Sequence, residues 1–297
     1  MRYLAAIQIS FILGIMCNLG CHSRKSNQKP DRVVTGTTVT LHSNILNEER
    51  EIWINIPDKN ISPSLTDCPV LYLLDAEEHF NSLIQKIRKL KMKDNNVNLT
   101  KLIVVGIPNT DRIHDLTPTN DPKPSNSSFL PITDSLYWNS GGGENFVSFI
   151  KYELIPYINS LYKPSPLRIF AGHSLGGLLV LHTLLNHADL FTGYIAIDPS
   201  IWWDNHKLVT QTNMALTEKD FKGVSFFLAN SNLTKKNAEN RRAENPRNPN
   251  SIRLELKNNF EANKQNNLKF AWVFYKNEDH DSIARKAFID GLEYMFN

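Results

Sequence analysis

The chain has 297 residues, 41% of them hydrophobic and 21% charged, with 13 glycines, 15 prolines and 3 cysteines, which is enough apolar material for a sizeable core. That composition excludes a disordered chain, a collagen-like repeat and a small disulfide-stapled scaffold. The formal charge of +3 is the difference between 33 basic and 30 acidic side chains spread along the sequence, so no field is aimed at a polyanion and no nucleic-acid partner is expected.

Met1-Arg2 and the apolar run from Tyr3 to Cys17, broken only by Gln8 and Ser10, have the form of the n-region and h-region of an export signal. The run is too short for a membrane span, which needs about 20 apolar residues. Asn18-Leu19-Gly20-Cys21 resembles the lipobox of bacterial lipoproteins, with Asn18 where leucine is usual. The expectation is a lipoprotein signal peptide over residues 1–20, lipidation at Cys21, a polar tether over 21–32, and a single domain over 33–297. Such a protein is exported and lipid-anchored in a bacterial cell envelope, facing the periplasm. Cys68 then has no partner for an internal disulfide, and its place before Pro69 and an apolar run predicts a small hydrophobe buried at a strand start.

Thr37–His42 and Glu51–Pro57 alternate as strands do and predict a hairpin. Val70–Asp75, Lys101–Pro108, Leu167–His173, Gly193–Asp198, Val224–Ala229 and Phe270–Lys276 are near-continuous apolar runs, the pattern of strands buried on both faces. Helical patterns lie between them at Glu77–Met92, Glu144–Leu161, Leu175–His187, Ser251–Ala262 and Asp281–Met295, with a kink expected at Pro156. Strands alternating with helices predict an α/β domain whose mostly parallel sheet of about eight strands carries helices on both faces. Two irregular segments, Asn109–Gly143 and Asn230–Asn250, are long enough to be functional or disordered.

The chemistry begins where Leu167–His173 runs through Gly172-His173-Ser174-Leu175-Gly176 straight into a helix. A nucleophilic serine needs a turn so tight that its hydroxyl stands exposed, and flanking glycines remove side chains that would collide. The helix start behind it offers free N–H groups and a positive dipole end to an oxyanion. Serine needs a base, which in this architecture follows it in the chain on a loop after the last strand. Of the histidines beyond Ser174, His187 sits at the far end of the helix that starts at Ser174, and His206 lies in a loop away from the required strand end. His280, directly after Phe270–Lys276, has the order and the position.

The acid is harder to place. The loop after Val224–Ala229 begins Asn230-Ser231-Asn232 without a carboxylate. Glu239 is the tentative candidate, with Glu244 beside it, in an Asn- and Arg-rich stretch that reads equally well as solvated charge. Glu278 is a third candidate if the turn folds it back onto the ring. Asn230 or a backbone carbonyl would instead leave a Ser-His dyad, a change that bears on rate more than on the nature of the reaction.

These residues resemble the esterase D and ferric-enterobactin siderophore esterase-like family of the α/β-hydrolases, in a bacterial lipoprotein-type member. The marks are Val70-Leu-Tyr-Leu-Leu-Asp-Ala, the segment from Gly106 to Thr119, Gly141-Gly-Gly-Glu-Asn-Phe, Gly172-His-Ser-Leu-Gly-Gly and Ile197-Asp-Pro-Ser-Ile-Trp-Trp-Asp, spread from about Thr37 to Phe296. The resemblance implies the α/β-hydrolase fold, Ser174 as nucleophile, His280 as base, and backbone N–H groups of Leu175 and Ala76 as the oxyanion hole. It leaves the acid open, since the family often places one in the loop that here starts at Asn230.

Arg112 and Asp115 leave a strand's C-terminal end, where α/β sheets bind ligands, so Arg112 is a candidate for holding an anionic substrate group; equally, the two pair with each other or cap their loop. Trp202 and Trp203 are candidates for an aromatic cleft wall or for ordinary packing, with one of the two favoured for the cleft. No cysteine or histidine cluster has metal-ligand spacing and no phosphate loop appears, so neither metal nor cofactor is expected. The reading is a serine esterase that cleaves a small-molecule carboxylic ester through an acyl-enzyme, with siderophore esters as a substrate class. A non-catalytic siderophore- or glycan-binding lipoprotein, a feruloyl or acetyl carbohydrate esterase and an acyltransferase are the alternatives.

Overall fold

Eight strands run β1 (Thr37–Ser43), β2 (Glu48–Asn55), β3 (Val70–Leu74), β4 (Ile103–Ile107), β5 (Arg168–His173), β6 (Gly193–Ile197), β7 (Ser225–Ser231) and β8 (Lys269–Tyr275) along the chain. They form one sheet in the order β1-β2-β4-β3-β5-β6-β7-β8. The computed structural model describes residues 35–58, 62, 65–93, 97–122, 137–233, 249–263 and 266–297. The export signal, Cys21 and the tether lie outside the described residues, as do Glu239 and Glu244. Among the described residues, no helix is long and apolar enough to cross a membrane.

The β1–β2 hairpin is antiparallel, β2 runs antiparallel to β4, and every pairing from β4 through β8 is parallel. This is the α/β-hydrolase arrangement. All five residues of β3 are buried because a parallel strand inside such a sheet has both faces covered. Val70, Tyr72 and Leu74 pack into one apolar cluster and Leu71 and Leu73 into the other, as the two-residue repeat of a strand requires. On the second face, α1 (Ala76–Lys93) contributes Phe80, Leu83 and Ile84 to the cluster, the short α2 (Val97–Thr100) contributes Leu99, and the closing helix Ala284–Phe296 contributes Ala287, Phe288 and Leu292. Burying each such leucine or phenylalanine contributes ~1.5–3 kcal/mol. Cys68 is fully buried beside Ser62, as its position before β3 predicts.

The opposite face is covered by several helical pieces. The segment expected as one helix with a kink is α4 (Gly143–Phe149), a π-helical turn at Ile150–Leu154, and α5 (Ile155–Tyr162). Pro156 has no N–H to give and its ring collides with the carbonyl one turn back; the widened turn just before it absorbs that conflict. The nucleophile-side helix α6 (Leu175–Asn186) is almost wholly buried. A helix absent from the sequence reading, α7 (Trp203–Glu218), follows β6, and α8 (Pro249–Ala262) precedes β8. The short α3 (Arg112–Leu116) lies within the first irregular segment, its N-cap Asp111 accepting from the N–H of His114 at 3.1 Å.

β2 begins earlier than the apolar alternation suggests because Arg50 occupies a core-facing position and is buried. Its guanidinium donates to Asp115 and lies 4.9 Å from the centre of the Phe146 ring. Asp115 therefore ties α3 to β2 instead of pairing with Arg112. Removing one partner of a buried pair strands the other charge, so Arg50→Ala is expected to lower unfolding free energy by ~3–5 kcal/mol in urea titrations.

Candidate active site

Three neighbouring strands end in residues forced into the left-handed region: Asp75 after β3 (φ 51°), Ser174 after β5 (φ 58°) and Asp198 after β6 (φ 44°). For residues with side chains this conformation costs energy and is kept where the surroundings over-determine it. At Ser174 the surroundings are close indeed. A Cβ on Gly172 would lie 2.4 Å from the backbone carbon of Gly176, and one on Gly176 would lie 3.0 Å from Asp75 Oδ2. Only glycine lets the turn fold back against its own helix and against the end of β3.

The turn is pinned on both sides. Ser174 N–H donates to Ile197 O at 3.0 Å, and its carbonyl accepts from Leu178 and Ser200 N–H, both at 3.0 Å. Its hydroxyl oxygen lies 3.1 Å from His280 Nε2 and 3.2 Å from the Ser200 hydroxyl. On the other side of the imidazole, His280 Nδ1–H donates to Asp198 Oδ2 at 2.6 Å. Ser174, His280 and Asp198 thus form one continuous hydrogen-bonded line, the geometry by which a serine is activated for attack on a carbonyl.

The carboxylate in that line corrects the expectation. It is Asp198, at the end of β6, and not Glu278 or an amide from the loop after β7; Glu239 and Glu244 lie outside the described residues. Adjacent parallel strands lie about 4.8 Å apart, so an acid at the end of either β6 or β7 reaches the same ring. The end of β7 does contribute: Ser231 donates to Asp198 from its N–H at 3.2 Å and from its hydroxyl at 2.6 Å. Arg253 on α8 donates to Asp198 Oδ1 and, through Nη1, to Ser231 O at 2.9 Å. Burial alone would raise the Asp198 pKa, but Arg253, His280 and Ser231 hold it well below the usual carboxylate range. Asn230 instead accepts from the Trp272 indole N–H at 2.9 Å. Glu278 builds the loop, its carbonyl accepting from Asn232 N–H at 2.9 Å. Asp279 closes the turn around His280 by accepting from the N–H groups of Asp281 and Ser282 at 3.2 and 3.0 Å.

Leu175 opens α6 and Ala76 opens α1, one on each side of the contact between Gly176 and Asp75, so two helix N-termini converge beside the serine. Arg112 braces that second strand end. It grips buried Asp75 with two bonds of 2.6 and 2.9 Å, and Asn109 adds a third at 2.7 Å. Burial would raise the Asp75 carboxyl too, and these donors hold it down. Arg112 is therefore a strut first, with about a third of its side chain (32%) still exposed. Trp203 is core: it is 2% exposed, its indole N–H donates to Thr119 O at 3.1 Å, and it packs on Tyr137. Trp202 is half-buried and packs against Trp203. His173, to which the sequence pattern assigns no role, is wedged between His280 and His79 with ring centres 4.6 and 5.6 Å away. Burial, with the charge of His280 and His79 next to it, pushes His173 down to about 3, so it stays neutral beside His280.

Residues 43–283 match the family described as "Putative esterase". The chain belongs to this family. The esterase is 34% identical over 209 residues to the ferri-bacillibactin esterase BesA of Bacillus subtilis, an alignment spanning 66% of this chain and 70% of that protein. It is 31% identical to a siderophore enterobactin esterase of Emericella nidulans over 48% of this chain and 49% of the relative. Among solved structures, an IroE-like serine hydrolase from Shewanella oneidensis matches with a TM-score of 0.75 at 29% identity, over 87% of this chain and 79% of that one. The esterase is a carboxylic ester hydrolase with a small-molecule substrate.

Because Asp198 has a lowered pKa, the stability it contributes is complete above the unfolded value of ~3.9 and is lost as pH falls through the lower folded value. Urea midpoints measured between about pH 6 and pH 2 are therefore expected to fall more steeply in the parent than in Asp198→Asn.

Proposed function

We propose that this esterase hydrolyses the ester bonds of a siderophore and that it does so from a lipid anchor in a bacterial cell envelope. The observation that carries the catalytic part is the unbroken line from Ser174 Oγ through His280 to Asp198, at 3.1 and 2.6 Å. Ser174 attacks the ester carbonyl while His280 Nε2 takes its proton. Asp198 holds the Nδ1–H tautomer and stabilises the imidazolium. N–H groups of Leu175 and Ala76 receive the oxyanion. His280 then protonates the departing alcohol, and water attacks the acyl-enzyme through the same base.

The siderophore assignment is supported by BesA and by the Emericella nidulans enzyme, whose names state that chemistry. Arg112, partly exposed beside the converging helix starts, offers a positive edge to an anionic or catecholate group. The binding-only alternative loses its motive, because it rested on a missing acid and Asp198 occupies that place.

A fluorophosphonate probe is expected to label the protein and to fail on Ser174→Ala, with kcat falling by about 10⁶ in Ser174→Ala and about 10⁴ in Asp198→Asn. Across a panel of a catecholate trilactone, feruloylated and acetylated sugars and short aryl esters, the trilactone should have the highest kcat/KM. A preference for a sugar ester would overturn the siderophore assignment and leave the esterase. Transesterified product on addition of alcohols or sugars would point to acyl transfer. For the anchor, the expressed parent should partition with detergent and Cys21→Ala with the aqueous phase; equal partitioning overturns it.

A further inference from the structure

Away from Ser174, Glu144 at the start of α4 faces the end of α6. Its Oε2 lies 2.9 Å from His182 Nε2 and its Oε1 lies 2.6 Å from His187 Nε2. One donor atom from each of the three residues lies within 4.8 Å of the other two. Among the described residues this is where histidine and carboxylate donors gather in that way outside the catalytic line. Sequence spacing gives no hint of it, because Glu144 comes from a different helix 38 positions before His182.

Two imidazoles and one carboxylate are the donor set of a three-residue zinc site that keeps an open fourth position, whereas calcium and magnesium call for oxygen ligands. A tetrahedral ion with bonds of ~2.0–2.1 Å spaces its donors ~3.3 Å apart, so three donor atoms that all lie within 4.8 Å of one another are within ~1.5 Å of that spacing. The two rings stand 6.3 Å apart between centres. His182 already has an outer contact, Nδ1 lying 3.1 Å from the Asn186 side-chain amide, of the kind that fixes a metal-bound imidazole. Glu144 is half-exposed, which gives an ion a route in and leaves the fourth position to water.

We propose that Glu144, His182 and His187 bind one divalent transition-metal ion of the Zn²⁺ class and that the ion clamps the start of α4 to the end of α6. The clamp is connected to the cleft. Gly142 and Gly143, leading into α4, donate to His114 O and Thr117 O at 2.9 Å each, and α3, which contains His114, also supplies Arg112 to Asp75. An ion at Glu144 thus holds from outside the segment whose other end braces Asp75, the residue before Ala76.

The test uses the full chain carrying His280→Ala, so that the catalytic-line histidine does not compete. After dialysis against a chelator it is titrated with ZnCl₂ against a chromophoric chelator, with MgCl₂ and CaCl₂ as controls, and melting is followed in parallel. The proposal expects one Zn²⁺ per chain, no response to Mg²⁺ or Ca²⁺, and affinity reduced ~100-fold or more in both Glu144→Gln and His187→Asn. At a hundredfold excess over the dissociation constant, zinc should raise the melting temperature by ~5 °C, and not in the variants. Zinc affinity unchanged in both variants, or no binding tighter than about millimolar, overturns it. A melting temperature lowered in the variants under chelator, with no zinc effect in the parent, assigns the cluster to a hydrogen-bonded clamp and overturns it equally.

Discussion

A single carboxylate taken out of water organises much of this molecule. The Asp198 side chain is fully buried, and a charge in that position is tolerable only if it is paired and its oxygens are hydrogen-bonded. The fold meets that demand from three directions around the acid at the end of β6: β7 brings Ser231, α8 brings Arg253 and the loop after β8 brings His280. The C-terminal part of the sheet and its covering helix are consequently tied to one atom pair. The same arrangement keeps the group ionised beside an imidazole that must accept a positive charge. Packing and chemistry make the same request of Asp198.

A second constraint is the level at which the strands stop. Leu73 pairs with Ala171 and Gly172 with Ala196, so the residues just past β3, β5 and β6 stand side by side at one edge of the sheet. Each turns sharply there through a left-handed conformation, and each carries a polar side chain with fixed partners. Asp75 is gripped by Arg112, Ser174 by the backbone of β6, and Asp198 by Arg253 and Ser231. Strain at the three turns is held in place by these polar bonds and by the buried helices behind them.

The order of strands and helices was legible because parallel strands buried on both faces must be apolar almost throughout, as β3 and β4 are. The glycine-flanked turn at Ser174 and the histidine after β8 were legible for a similar reason, since few residues satisfy those steric and positional demands. Asp198 was visible as a residue but not as a partner. It belongs to a strand-end pattern, Ile197-Asp198-Pro199, whose meaning depends on which neighbouring strand reaches the imidazole, and that is a fact of three dimensions. The helix α7 is obscured at its start: Leu208, Val209, Thr212, Ala215 and Leu216 form a buried stripe at helical spacing, but the lead-in residues Asp204, Asn205 and His206 have positive φ and look like loop. Buried Arg50 hid the start of β2, because a charged side chain on a core-facing position reads as solvent-exposed until Asp115 and Phe146 are seen around it.

The contact between Ser174 and Ser200 carries a consequence of proton counting. The Ser174 hydroxyl has one hydrogen, and if that hydrogen points along the 3.1 Å line to His280, the 3.2 Å contact to Ser200 must be filled by the hydrogen of Ser200. Ser200 is itself held by its N–H on the Ser174 carbonyl, so the two serines are paired through both backbone and side chain. The resting oxygen is thereby donated to from one side while it donates on the other, which leaves one lone pair for a carbon to approach. The side from which a carbonyl carbon approaches the Ser174 oxygen is then set by a neighbouring hydroxyl two residues beyond the acid.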